Sequence, residues 1–219
     1  MNNKENSWLR QTVDFVKNEF IDAEGGHDWW HTYRVWNMAI TIADEENANQ
    51  LVVQLAALLH DIADSKFHNG DEEIGPQIAS EFLINAHVDT DIIYNVIEII
   101  KNLSFKKTFD NTTYRSVELD VVRDADRLDA IGAIGIARTF NYGGFTGSEI
   151  YNPEIKPVSY KNKSDYKSNN PPTINHFYEK LLKLKNMMNT STGKRLAEER
   201  HNFMEKYLDQ FFKEWEGIR

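Results

Sequence analysis

The chain has 219 residues, with 25 Lys and Arg against 34 Asp and Glu, a formal net charge of −9 and no cysteine. That length fits one domain with a sizeable core. The acidic balance argues against broad nucleic-acid or anionic-membrane binding, and the missing thiols exclude disulfides, thiolate metal sites and cysteine nucleophiles. No apolar run approaches the roughly 20 residues needed to span a bilayer. The first ten residues lack an apolar leader, so the cytoplasm is the expected location. A small phosphate-bearing substrate remains compatible with the charge, because a metal and a few local cations reverse the potential inside a cleft.

Residues 7–23 read as a first helix, with Trp8, Leu9, Val13, Phe15, Val16, Phe20 and Ile21 on one stripe, Asn6 or Ser7 as cap and Gly25-Gly26 as breaker. A second helix runs from His27 or Asp28 to about Glu46. His27 and His31 share a face in it, four residues apart, as in the zinc-protease pattern of two histidines. That pattern is rejected here: Asp28 is shorter than the glutamate it would replace, and His60-Asp61 downstream would have no role. His27 is then a helix-start residue or a phosphate contact. His31 is a metal ligand or a hydrogen-bonded core histidine. Arg34, one turn on, touches a ligand carboxylate or substrate, or forms a surface ion pair.

A third helix over 50–63 buries Leu51, Val52, Leu55, Leu58, Leu59 and Ile62 and ends in His60-Asp61. Adjacent helical residues point about 100° apart. One metal therefore fits between this pair only near the helix end, and further ligands must come from elsewhere. His31 and Asp126 are the candidates. Two histidines and two aspartates form a mixed nitrogen and oxygen set, suited to manganese, iron, nickel, zinc or magnesium. Asp64 lies three residues beyond Asp61, where a carboxylate beside a metal-bound water acts as general base or acid; the alternative is a solvated loop residue. Lys66 is a phosphate cation or a plain surface lysine.

A turn-rich loop at 67–71 precedes a fourth helix over 72–86 and a fifth over 89–102, the latter with an isoleucine-rich core face. His87 is a polar linker residue and Ser104–Lys107 a loop. The segment 114–139 places Asp124, Asp126 and Asp129 inside an apolar helical pattern. Buried carboxylates are costly unless paired or metal-bound, and Arg123 and Arg127 are expected to pair with Asp124 and Asp129. Residues 141–172 lose the apolar period and carry four of the five prolines. Their Lys156, Lys161, Lys163 and Lys167 suit a lid over a phosphate substrate, the alternative being a mobile loop. Thr173 caps a helix to about Met188. After a break at Asn189–Gly193 a final helix runs to about Trp215, with Leu196, Phe203, Met204, Tyr207, Leu208, Phe211 and Phe212 as its buried stripe. No strand is evident, so the expected fold is all-α.

The order His31, His60-Asp61, Asp126, with the His-Asp pair ending an apolar helix, resembles the HD-domain metal-dependent phosphohydrolase superfamily. Arg34-Val35 after His31, Leu58-Leu59 before His60 and Ala125-Asp126-Arg127-Leu128 support it. The stretches Asp124–Phe140 and His176–Leu184 look like a bacterial subfamily of this length that includes manganese-dependent nucleoside triphosphate pyrophosphohydrolases, so the resemblance covers nearly the whole chain.

The resemblance implies an HD-type helical bundle forming one domain over 1–219, with the excursion at 141–172 and C-terminal helices at 173–219 packed on the core. It implies His31, His60, Asp61 and Asp126 as ligands of one divalent ion, manganese being favoured over magnesium, nickel, iron or zinc. Asp64 occupies the position of the residue that orients or deprotonates the attacking water. His27, Arg34, Lys66 and Arg127 are the candidate phosphate contacts. The extra histidines of two-metal relatives have no recognisable counterpart in His68 or His87. The implied reaction converts a nucleoside triphosphate to monophosphate and pyrophosphate. The residues alone support metal-assisted phosphoester or phosphoanhydride hydrolysis, which leaves a nucleoside monophosphate phosphatase and a non-catalytic nucleotide sensor as alternatives.

Overall fold

The computed structural model describes residues 2–21, 28–63, 73–103, 114–158 and 171–218. Among them every regular element is a helix, and the fold is all-α. The chain forms two compact units, one of residues 1–126 with 189–192 and one of residues 127–188 with 193–219. No helix of the described residues is long and apolar enough to cross a membrane.

The first unit contains α1 (Asn3–Glu19), α2 (Trp29–Glu45), α3 (Gln50–Leu59), α4 (Ile74–Asn85), α5 (Thr90–Asn102) and the start of α6 (Val117–Asp129). Helix α3 is its axis. Every residue from Leu51 to Leu59 is buried, as expected for a helix apolar all round. It packs against α1, α2 and α5, and α4 packs on α5. Trp36 on α2 donates its indole N–H to Gln54 Oε1 on α3 at 3.1 Å, so the one polar side chain in that run is paired. Helix α6 buries Leu119, Val121, Val122, Ala125 and Leu128, and Glu118 accepts from the backbone N–H of Asn49, the cap of α3.

The second unit contains α7 (Gly132–Thr146), α8 (Asn175–Glu179), a 3-10 helix (Leu181–Met187) and α9 (Ser191–Trp215) from residue 193 onward. Phe140, Phe177 and Tyr207 form one aromatic cluster. The ring of Tyr151 meets Phe211, Phe212 and Trp215 edge-on. Burial, and then the charge of Lys180, lower the pKa of His176 to about 4, so this half-buried histidine is neutral.

Several expected boundaries move. Helix α1 starts at Asn3, not residue 7, because Asn2 and Glu5 form a reciprocal capping box; Gly25-Gly26 lies outside the described residues. The helical stretch expected over 114–139 is broken at Ala130–Ile131, and α7 then continues through Gly143 and Gly144 to Thr146. Gly147, at φ 69°, is the left-handed residue that ends it. The irregular stretch therefore begins at 147, not 141. Its described part is tied down by Thr173 N–H to Glu149 O and Ile174 N–H to Ile150 O, while 159–170, with Lys161, Lys163 and Lys167, lies outside the described residues. The helix expected from Thr173 to Met188 is two short pieces, because Lys180 leaves helical geometry at φ −137°. The 3-10 repeat then places Leu181 and Leu184 on one buried side. Phe203, expected in the core, is 51% exposed.

Candidate metal centre

Local structure aims each donor. Asp28 caps α2: its Oδ1 accepts the backbone N–H of His31 at 2.8 Å. The cap fixes His31 at the third helical position, with its side chain buried. Apolar α3 stops at Leu59, and His60 is its cap residue. The ring of His60 folds back on its own helix, with Nδ1 2.8 Å from the carbonyl oxygen of Ala57. A carbonyl can only accept, so Nδ1 carries the proton and Nε2 is the atom turned outward. Asp126 comes from α6, where Ala125 and Leu128 face the core.

These side chains converge inside the first unit. One ligand-type atom each from His31, His60 and Asp126 lie within 4.8 Å of one another. Asp61 Oδ2 stands 3.4 Å from Nε2 of both His31 and His60, and Asp126 Oδ1 stands 3.6 Å from His31 Nε2. Two ligand atoms each about 2.1 Å from one ion lie roughly 3.0–3.4 Å apart. The spacing therefore suits a shared ion with small side-chain adjustment. His60 Nε2 is buried without a well-formed hydrogen bond, a cost that coordination removes. The residues fit a divalent metal. Burial by itself lowers the pKa of His60; the charges of Asp61 and Asp126 and the Ala57 carbonyl outweigh it and raise the value to about 9. Concentrated negative charge of this kind draws a proton when no cation is bound.

The histidine side chains are 2% and 4% exposed, those of Asp61 and Asp126 24% and 48%. Arg34 is half-buried one turn after His31 on α2. Arg127, in the second unit, donates to the Met187 carbonyl. His27, Asp64, Lys66, His68 and the loop at 104–107 lie outside the described residues.

The expected arginine pairing of Asp124 is replaced. Asp124 accepts from the backbone and side chains of Asn189 and Thr190. Asp129 pairs with Arg138, and Arg123 donates to the Asn102 carbonyl. Two contacts beside the site escaped the sequence reading. The cap spacing Asp28-x-x-His31 signals the first. Nothing local signals the second, the contact of Asp124 with residues 65 and 66 positions away.

The HD domain family model matches residues 29–131, which include all four converging side chains. YpgQ of Bacillus subtilis is 38% identical over 98% of this chain and 97% of its own length. The chain belongs to the HD-domain family. A crystal structure of an HD-superfamily hydrolase from Bacillus thuringiensis superposes with a TM-score of 0.79 at 42% identity, over 97% of this chain and 98% of that one. The structure of Bacillus subtilis YpgQ in complex with ADP superposes with a TM-score of 0.76 at 34% identity, over 96% of each chain. As a member of the HD family the protein is a metal-dependent phosphohydrolase, and the triad His31, His60 and Asp126 is a group able to hold the ion.

Proposed function

We propose that the protein hydrolyses nucleoside triphosphates to monophosphate and pyrophosphate, with one divalent ion, manganese favoured, held by His31, His60, Asp61 and Asp126. The ADP carried by Bacillus subtilis YpgQ is the observation that supports a nucleotide substrate. The acidic balance of the chain supports a small molecule over a nucleic acid, and a cytoplasmic location agrees with both.

When bound, the ion supplies Lewis acidity, lowering the pKa of a coordinated water and polarising a phosphoryl oxygen. The chain supplies the rest. His60, locked by Ala57, presents Nε2 in one orientation. Asp61 and Asp126 would help hold the ion, bringing two negative charges to balance its own. Asp64 accepts the proton of the attacking water, because it stands three residues after Asp61 in the sequence and a carboxylate is suited to that transfer. Arg34, His27 and Lys66 bind phosphate oxygens, with Arg34 able to do so in a two-pronged manner.

A substrate panel tests the reading. Metal-stripped protein receives manganese, magnesium, nickel or zinc singly and is offered nucleoside tri-, di- and monophosphates, with pyrophosphate and orthophosphate both measured. Pyrophosphate from triphosphates, abolished in His60→Ala, is the expected result. Orthophosphate from monophosphates alone makes the protein a nucleotidase. Nucleotide binding without turnover under any metal makes it a sensor.

A further inference from the structure

Two carboxylates on α6 stand two residues apart and face opposite ways. Each helical step turns by about 100°, so positions 124 and 126 lie about 200° apart around the axis. Asp126 faces the histidines. Asp124 is fully buried and faces the segment Asn189–Thr192. Its Oδ1 accepts the backbone N–H and the side-chain amide of Asn189, each at 2.9 Å. Its Oδ2 accepts the Asn189 N–H at 3.0 Å and the N–H and hydroxyl of Thr190, each at 2.8 Å. A buried carboxylate surrounded this fully by short neutral donors is held in one place, and each donor would be costly to strand.

The same four residues are fastened at their other end to α2. Thr192 N–H donates to Glu46 Oε1 at 2.7 Å, and its hydroxyl donates to Glu45 Oε2 at 3.1 Å. Glu45 is the last residue of α2 and Glu46 its cap. Helix α2 carries His31 and α6 carries Asp126, and all of these residues belong to the first unit. We infer that Asn189–Thr192 is a clasp between the two helices, that it sets where Asp126 stands relative to His31, and that Asp124 is the positioning residue through which it acts. The inference rests on the reading of Asp126 as a metal ligand. A binding constellation needs its members held to within about 0.5 Å. The half-exposed side chain of Asp126 gains that constraint from its own helix, which Asp124 anchors.

The test measures manganese affinity directly, from the electron paramagnetic resonance signal of free Mn2+ titrated into metal-stripped full-length protein well below its unfolding temperature. Asp124→Asn puts amide hydrogens among donors, and Thr190→Val removes one of the five contacts while keeping the carboxylate. Val96→Ala, in the buried face of α5, is the control that lowers stability without touching the clasp. Asp124→Asn is expected to weaken Mn2+ binding roughly 10–100-fold, as removal of a partner behind a ligand does. Thr190→Val gives a smaller loss, and Val96→Ala none despite a lower melting temperature. Wild-type affinity in Asp124→Asn and Thr190→Val, with melting temperatures depressed as in Val96→Ala, overturns the clasp and makes Asp124 a matter of stability only. If Asp124→Asn does not fold, Thr190→Val decides alone. Asp126→Ala is run in parallel: unchanged Mn2+ binding there rejects the ligand reading itself. Loss there beside wild-type affinity in Thr190→Val rejects only the clasp.

Discussion

His60 Nδ1 lies 2.8 Å from the carbonyl oxygen of Ala57, one turn back on α3. That bond leaves Nε2 as the only ring nitrogen able to take a second proton or a metal. The pKa of about 9 in the metal-free protein means that a proton occupies it at neutral pH. An incoming ion must displace it. Titration of manganese at pH 7.5, in buffers of different ionisation enthalpy, is expected to show proton release on binding, and His60→Asn is expected to abolish that release.

Two histidines bend the stability of the metal-free protein in opposite directions. The folded-state pKa of His60 is raised from 6.5 to about 9, so its contribution is complete below 6.5 and lost as pH rises through 9. That of His176 is lowered from 6.5 to about 4, so its contribution is present above 6.5 and lost as pH falls toward 4. Melting temperature is expected to fall on both sides of pH 6.5. The alkaline fall should vanish in His60→Asn or when manganese is bound. His176→Gln should shallow the acid fall.

The Asp28 cap joins stability to the site. Asp28→Ala removes the acceptor for the His31 N–H and is expected to cost about 1 kcal/mol in denaturant unfolding. The loosened first turn of α2 should also weaken manganese binding. Asp28→Asn, which keeps a capping oxygen, should retain most of both.

Leu55 is completely buried on the central helix α3. Leu55→Ala leaves a cavity between helices that all pack on that axis and is expected to cost about 2–5 kcal/mol. Urea unfolding followed by circular dichroism reads the loss directly.

Two glycines of α7 should respond with opposite signs. A Cβ at Gly135 would sit 2.2 Å from the Ala130 carbonyl oxygen, whereas one at Gly144 meets nothing within 4 Å. Gly135→Ala must displace backbone and lower the melting temperature. Gly144→Ala is expected to stabilise by roughly 0.5–1 kcal/mol, through lost unfolded-state freedom and better helix propensity.

Much of this was legible in the sequence, for identifiable reasons. The apolar run from Leu51 to Leu59 read as a buried helix, expected to reach residue 63 and ending at Leu59, and the polar His60-Asp61 after it stood out against it. Asp126 stood out in the same way between Ala125 and Leu128. Periodicity did not carry α7 through two glycines, because a glycine in a helix costs only about 1 kcal/mol and packing repays it: Gly143 lies where a Cβ would meet Thr173. Nor did it find the break at Lys180, a single residue leaving helical angles. The partners of Asp124 were beyond any local pattern. Arg123 and Arg127 were near in sequence and opposite in charge, yet Asn189 and Thr190 supply its contacts.

The four converging side chains differ in exposure, and that difference would order their encounter with a metal ion. The imidazoles form the inner wall and the two carboxylates stand toward water, Asp126 the more open of them. An ion arriving from solution would reach the oxygens before the nitrogens. The carboxylates would meet a hard divalent ion first, and the two nitrogens behind would complete its set of ligands.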